Sequence, residues 1–326
     1  MGTLIGHVAP GFGFFVIGIW HLLNHIKLHA QNPNSYTSKP WFPALRRLKY
    51  LELFSIMGGC TASIAMELFI GPHRHQPLDD DLTIPSNHLH NFEHSTISLT
   101  FFLYAAFALV FDRVLSKTRA KTTQYYYSLT NLLGAFAFGQ QLLVFHLHSA
   151  DHMGVEGEYH LLLQLVIIIA LVTTLMGIGY PKSFLISFVR SMSIVAIGVW
   201  LMVMGFMLWT PEFIPKGCFM NLEEGHKVVR CRNDEALERA KSLVNIEFSW
   251  YMILVIVCSM CLYLYMVQIY GEKVEYQTVS MYELGDEEEE EEEGGDDVEA
   301  QKKMNAGASK SFVQMGKGYA TMDIER

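Results

Sequence analysis

The stretch "HLHNFEHSTISLTFFLYAAF", residues 88 to 107, begins with three histidines and a glutamate and then becomes hydrocarbon apart from scattered hydroxyls. Its second half reads as the start of a membrane-spanning helix, and the same pattern recurs along the chain. Hydrophobic residues make up 51% of the 326 residues and the mean hydropathy is +0.21, which argues against an ordinary soluble globule. Apolar runs of about 20 residues, the length that crosses a bilayer as a helix, occur seven times. They cover roughly 4–26, 50–70, 95–112, 125–147, 159–179, 184–210 and 248–270. In lipid a helix satisfies its backbone amides within its own segment, so the expected fold is an all-α, seven-transmembrane-helix bundle over 1–270. The first run reads as an uncleaved span, because no Lys or Arg precedes it and no small-residue cleavage pattern follows.

Charge sets the expected orientation. Lys27, Lys39, Arg46, Arg47 and Lys49 follow span one, Arg113, Lys117, Arg119 and Lys121 follow span three, and Lys182 follows span five. These loops read as cytosolic. The opposite loops carry Asp79, Asp80, Asp81, Asp151, Glu156 and Glu158, which puts the N-terminus on the luminal or extracellular side and the C-terminus in the cytosol. Arg190, some seven residues into span six, is expected to snorkel to the cytosolic surface, the alternative being a partner inside the bundle. Cys218 and Cys231 share the loop between spans six and seven on the oxidising side, where a disulfide can close it.

Histidine placement carries the functional question. Most of the 14 imidazoles gather at the luminal ends of the spans. His7 opens span one, Glu67 closes span two, and His73, His75, His88 and His90 precede span three. His94 opens span three, His146, His148, Asp151 and His152 close span four, and His160 opens span five. With span three helical from one turn earlier, His90, His94 and Ser98 share a face at i, i+4 and i+8, and His160 and Gln164 repeat the spacing. Imidazole pairs on facing helices, completed by carboxylates, are how bundles bind transition metals. His90, His94, His148 and His160 are therefore candidate ligands for zinc or another transition metal. Glu67 and Asp151 are the candidate further ligands or general bases. Such a site would activate water for lipid hydrolysis, or hold a redox metal. The competing readings are a structural polar network and pH sensing; no H-E-x-x-H or C-x-x-C is present to decide. A second stripe, His21, His25 and His29, lies at the cytosolic end of span one and is expected to be interfacial packing, with His25 near Glu52.

Beyond residue 270 the chain turns polar, with 16 acidic and 6 basic side chains. The run "GDEEEEEEEGGDDVE" at 285–299 cannot bury a core, so 271–326 is expected to be a disordered acidic cytosolic tail. "YQTV" at 276–279 matches, through Tyr276 and Val279, the tyrosine-based signal read by clathrin adaptors.

The stretches "GHVAPGFGFFVIGIWHLLNH" at 6–25, "HLHNFEHSTI" at 88–97 and "FHLHSADH" at 145–152 resemble the transmembrane protein 45 family, also described as domain of unknown function 716. The resemblance implies a multi-pass membrane protein, in some members associated with Golgi, endosomal or lysosomal membranes and with epithelial differentiation or antiviral defence; the expected role here is trafficking, signalling or host defence in Golgi, endosomal, lysosomal or plasma membranes. The resemblance supplies no catalytic residues. Two readings stay open: an integral-membrane metal-dependent enzyme acting on a lipid at the luminal leaflet, and a non-enzymatic membrane factor whose tail engages adaptors; a transporter is a third, and against it the sequence shows no clear inverted repeat and no helix broken mid-membrane by proline.

Overall fold

The computed structural model describes residues 3–45, 47–71, 76–115, 120–147, 154–223 and 226–271. His73, His75, His148, Asp151, His152, Tyr276, Val279 and the acidic run lie outside them. Among the described residues seven helices are long and apolar enough to cross a membrane. They are α1 (Leu4–Gln31), α2 (Leu51–Ala65, continued by a π-helical turn Met66–Ile70), α3 (Leu89–Leu115), α4 (Ala120–Leu147), α5 (Val155–Gly179), α6 (Phe184–Trp209) and α7 (Asp234–Tyr270). Side chains cap three starts: Thr3 accepts from the Gly6 amide, Ser183 from Ile186 and Asn233 from Ala236.

The expectation of an all-α chain needs one correction. Strands β1 (Cys218–Glu223) and β2 (His226–Cys231) pair antiparallel, with Cys218 opposite Cys231 and a disulfide between them. Six-residue strands outside the apolar runs leave no trace in a hydropathy scan. That scan also placed the start of the last span at 248, whereas α7 begins at Asp234. Its 37 residues extend about 55 Å, well beyond the roughly 30 Å of a hydrocarbon core.

Six helices form a ring in the order α1, α6, α5, α4, α3, α2, with α2 returning to α1, and α7 packs outside against α1, α5 and α6. The α1–α6 contact is the tightest, because glycines allow the backbones to meet. A Cβ on Gly18 would stand 2.5 Å from the Val195 nitrogen, and one on Gly11 2.8 Å from the Gly198 carbonyl. The apolar core lies between α5, α6 and α7, where Trp200 is fully buried and donates to the Tyr159 carbonyl at 3.1 Å. Tyr251 belongs to this core and donates to the Ala196 carbonyl. Leu, Ile and Phe side chains line the outer faces, as lipid contact requires.

One end of the ring, the hairpin end, carries the β-strands and the starts of α1, α3, α5 and α7. The other, the strap end, is crossed by residues 32–50, which connect α1 to α2.

Candidate functional site

At the hairpin end the interior is polar. His7 is buried, donates through Nδ1 to the Thr3 carbonyl at 3.1 Å, and stacks on the Trp209 indole at 4.4 Å. Glu67 sits on the π-helical turn, a distortion that re-aims side chains and recurs at functional sites. Its carboxylate accepts from Asn91 Nδ2 at 2.7 Å and from His94 Nδ1 at 3.3 Å. His90 and His94 lie on one face of α3, rings 6.3 Å apart. His160 packs 5.5 Å from the Phe145 ring and 6.0 Å from His7. His146 Nδ1 donates to Gln164 Oε1 at 3.3 Å. Of the expected metal set, His94 and Glu67 are brought together, while His148 and Asp151 fall outside the described residues. Among the described residues no three His, Cys, Asp or Glu side chains stand close enough to hold a metal ion.

The strap end corrects two expectations. Arg190 does not snorkel: it is 4% exposed and its guanidinium is spent inside the ring. Nη1 donates to Asn131 Oδ1 at 3.0 Å, and Nη2 to Lys39 O at 3.2 Å, His25 Nε2 at 3.3 Å and Ser38 Oγ at 3.3 Å. Seven residues into a span was too deep for the side chain to reach water while the strap carbonyls and Asn131 offered acceptors at its own depth. The histidine stripe is likewise more than interfacial packing. His21, rather than His25, meets Glu52, Nε2 to Oε1 at 2.7 Å. Glu52 Oε2 accepts from Trp20 Nε1 at 2.9 Å and from the Phe42 amide at 2.8 Å, so this carboxylate ties α1, α2 and the strap together. His29 alone fits the expectation, stacked on Phe184 at 4.0 Å.

Hydrogen-bond logic settles the state of His25. A guanidinium only donates, so Nε2 must present its lone pair to Arg190, and Nδ1 then carries the proton and donates to the Tyr36 hydroxyl, 2.8 Å away. The ring is therefore neutral. Burial pushes the Tyr36 hydroxyl up to about 12, which keeps it protonated at neutral pH. Tyr104 donates to the Pro40 carbonyl at 2.6 Å, and the Ser38 amide to the Pro181 carbonyl at 2.7 Å. The strap from Tyr36 to Phe42 is thus held by four helices. Nearer the surface, Asp112 accepts from Lys49 at 2.5 Å and Tyr50 at 2.8 Å.

Sequence reasoning weighed an internal partner for Arg190 but favoured the surface, and it missed Asn131 and Tyr36. The available signal was a charged residue well inside an apolar run, which in lipid points to a buried partner.

Seven spans around a polar interior define a multi-pass integral membrane protein. Residues 127–264, from within α4 to within α7, match the model of a family of unknown function, DUF716. This is the family that the histidine-bearing stretches resemble, and the match bears that resemblance out. Arg190, Asn131, His146, His160 and Trp209 lie inside the matched segment; His7, His21, His25, Glu52, Glu67 and His94 lie before it.

Proposed function

We propose that the protein is a non-enzymatic membrane factor of Golgi or endosomal membranes, acting in trafficking, signalling or host defence, with its histidines serving a hydrogen-bonded interior. One observation carries this reading: the described interior imidazoles engage protein groups, His21 with Glu52, His25 with Tyr36 and Arg190, His94 with Glu67 and His146 with Gln164. Lys27, Lys39, Arg47, Lys49, Arg113 and Lys182 all belong to the strap end, which supports a cytosolic strap, a luminal or extracellular N-terminus and a cytosolic C-terminus. On that topology Tyr276 and Val279 stand where clathrin adaptors bind. Replacing Tyr276 with Ala is expected to shift the protein from endosomal membranes to the cell surface, read by surface biotinylation; an unchanged distribution would sink the sorting role.

A second reading is favoured by the meeting of Glu67 and His94 from different helices. In it His90, His94, His148 and His160, with Glu67 or Asp151, hold zinc or another transition metal that acts on a lipid. Elemental analysis of the purified protein and of a His94→Ala, His148→Ala double variant decides. About one metal per chain, lost in the variant, supports this reading, and metal absent from both removes it.

A further inference from the structure

The two polar clusters and the layer between them share one axis, because each is joined across the ring rather than around it. His7 of α1 faces His160 of α5. Phe14 of α1 meets Phe101 of α3 edge-on at 5.2 Å, and Phe101 meets Phe138 of α4 at 5.4 Å. Arg190 of α6 reaches Asn131 of α4 and His25 of α1. Three of these contacts skip a ring neighbour: α6 between α1 and α5, α2 between α1 and α3, α5 between α6 and α4. They are therefore made inside the ring. Along α1 the order is His7, Phe14, His21, each seven residues from the next, which places all three on one face about 10 Å apart.

We propose that this axis is a proton pathway, entered at Glu67, His94 and His7, left at His21 and Glu52, and closed in this conformation by the Phe14, Phe101 and Phe138 layer. Chains of Asp, Glu and His inside a membrane mark such routes, and apolar constrictions gate by excluding water. Each end presents a carboxylate paired with an imidazole, Glu67 with His94 and Glu52 with His21.

The His21 geometry suits transfer. Nε2–H points at Glu52 Oε1, while Nδ1 is buried with no hydrogen-bond partner among the described residues. A proton taken up on the Nδ1 lone pair is balanced by loss of the Nε2 proton to Glu52 Oε1, and the ring returns neutral as the other tautomer. Gln141 Oε1 is a second orphan. It is buried, unpartnered among the described residues, and one turn from Phe138, so it is an acceptor for water at the edge of the aromatic layer.

Around His21 and Glu52 stand His25, Tyr36, Lys39, Tyr104 and Arg190, with His25 neutral and the guanidinium fixed by its acceptors. Around Glu67 stand Asn91, His94 and His7. The π-helical turn under Glu67 interrupts α2 where entry requires it.

The pathway is independent of tail sorting, and it rests on the reading that the interior imidazoles serve hydrogen bonds. The test uses the full chain, purified and reconstituted in phosphatidylcholine and phosphatidylglycerol vesicles with an internal pH dye. Proton entry is driven by a valinomycin-clamped potassium gradient, and metal content is measured on the same sample. Phe101→Ala is expected to raise proton entry several-fold over empty vesicles, and adding Glu52→Gln or Glu67→Gln to return it to their rate. Phe138→Leu gives the smaller opening and stands in if Phe101→Ala elutes as aggregate. Monodisperse gate variants that leave entry at the empty-vesicle rate overturn the proposal, as does entry that ignores both carboxylate replacements. Stoichiometric metal with no flux would count against the networks, whereas flux without correct sorting would count only against the tail.

Discussion

The hairpin end and the strap end use the same chemistry, an imidazole from one helix against a glutamate from another, and hold it differently. At the strap end Glu52 has three donors within 2.9 Å, one of them the Phe42 amide, and the His21 side chain is 6% exposed. At the hairpin end Glu67 has donors at 2.7 and 3.3 Å, and the His94 side chain is 23% exposed. The difference lies in what covers each cluster. Residues 36–42 lie across the strap end and lend it backbone groups, so its charges are sealed in. At the hairpin end the His94 and Glu67 side chains are 23% and 12% exposed, against 6% and 2% for His21 and Glu52, so they stand nearer to water.

The most severe way to break this comparison removes both ends together. Gly198→Leu drives a side chain into the Phe15 backbone and the Gly11 carbonyl, which separates α1 from α6 along the whole axis. Overpacking at a backbone contact exceeds the usual 1–3 kcal/mol or so of a crowded core, and the expected outcome is no monodisperse peak in size-exclusion chromatography. Arg190→Met strikes the strap end alone. It strands Asn131 Oδ1, Ser38 and the Lys39 carbonyl, and about 3–5 kcal/mol of lost stability is expected, with new protease cleavage in the strap. A hairpin end that also loosened would show that the two clusters are coupled.

Cys231→Ser strikes the other end. The disulfide closes a loop of sequence separation 13, on the order of 3 kcal/mol in the chain-entropy view. The hairpin backbone receives the Trp209 Nε1–H at Lys227 O, so its loosening frees the indole from His7 and spares the strap. Proteolysis confined to 210–233 is the expected readout. A finer contrast comes from paired carboxamides. Glu52→Gln replaces one acceptor oxygen with an NH2 donor that faces other donors and is expected to cost about 2 kcal/mol, against less than about 1 for the more exposed Glu67→Gln. Equal shifts in melting temperature would erase the distinction between sealed and wet ends.

The smallest effect belongs to Tyr36→Phe, which removes one hydrogen bond to His25 at about 1 kcal/mol. The same hydroxyl gives a pH signature. Its folded value of about 12 exceeds the ordinary 10, so its contribution is complete below pH 10 and fades as pH rises toward 12. Wild type should lose stability across that window by more than Tyr36→Phe does.

Much of the architecture was legible before any coordinates. Seven apolar runs announce seven spans, because lipid admits only helices that satisfy their own backbone. The spacing of His90, His94 and Ser98 foretold a shared face of α3. The meeting of His94 with Glu67 could be suspected from their depth. Glu52 near the first-span histidines was also suspected, with the wrong partner, since His21 and His25 differ by one turn and hydropathy cannot rotate a helix. The β-hairpin and the inward turn of Arg190 escaped. Both depend on neighbours distant in sequence, namely Cys231 for Cys218, and Asn131, His25 and the strap for Arg190.

What the sequence determined by itself is local: which segments are helical, how long they are, and at what depth each polar residue sits, because backbone satisfaction and side-chain solvation act residue by residue. What only the tertiary structure decided is azimuth and order. Placing α1 between α6 and α2 turns His7, Phe14 and His21 inward as one column, and folding the strap back supplies the carbonyls that hold Arg190. Those choices arise from packing among helices far apart in the chain, where glycine contacts and buried hydrogen bonds outweigh any single residue's preference.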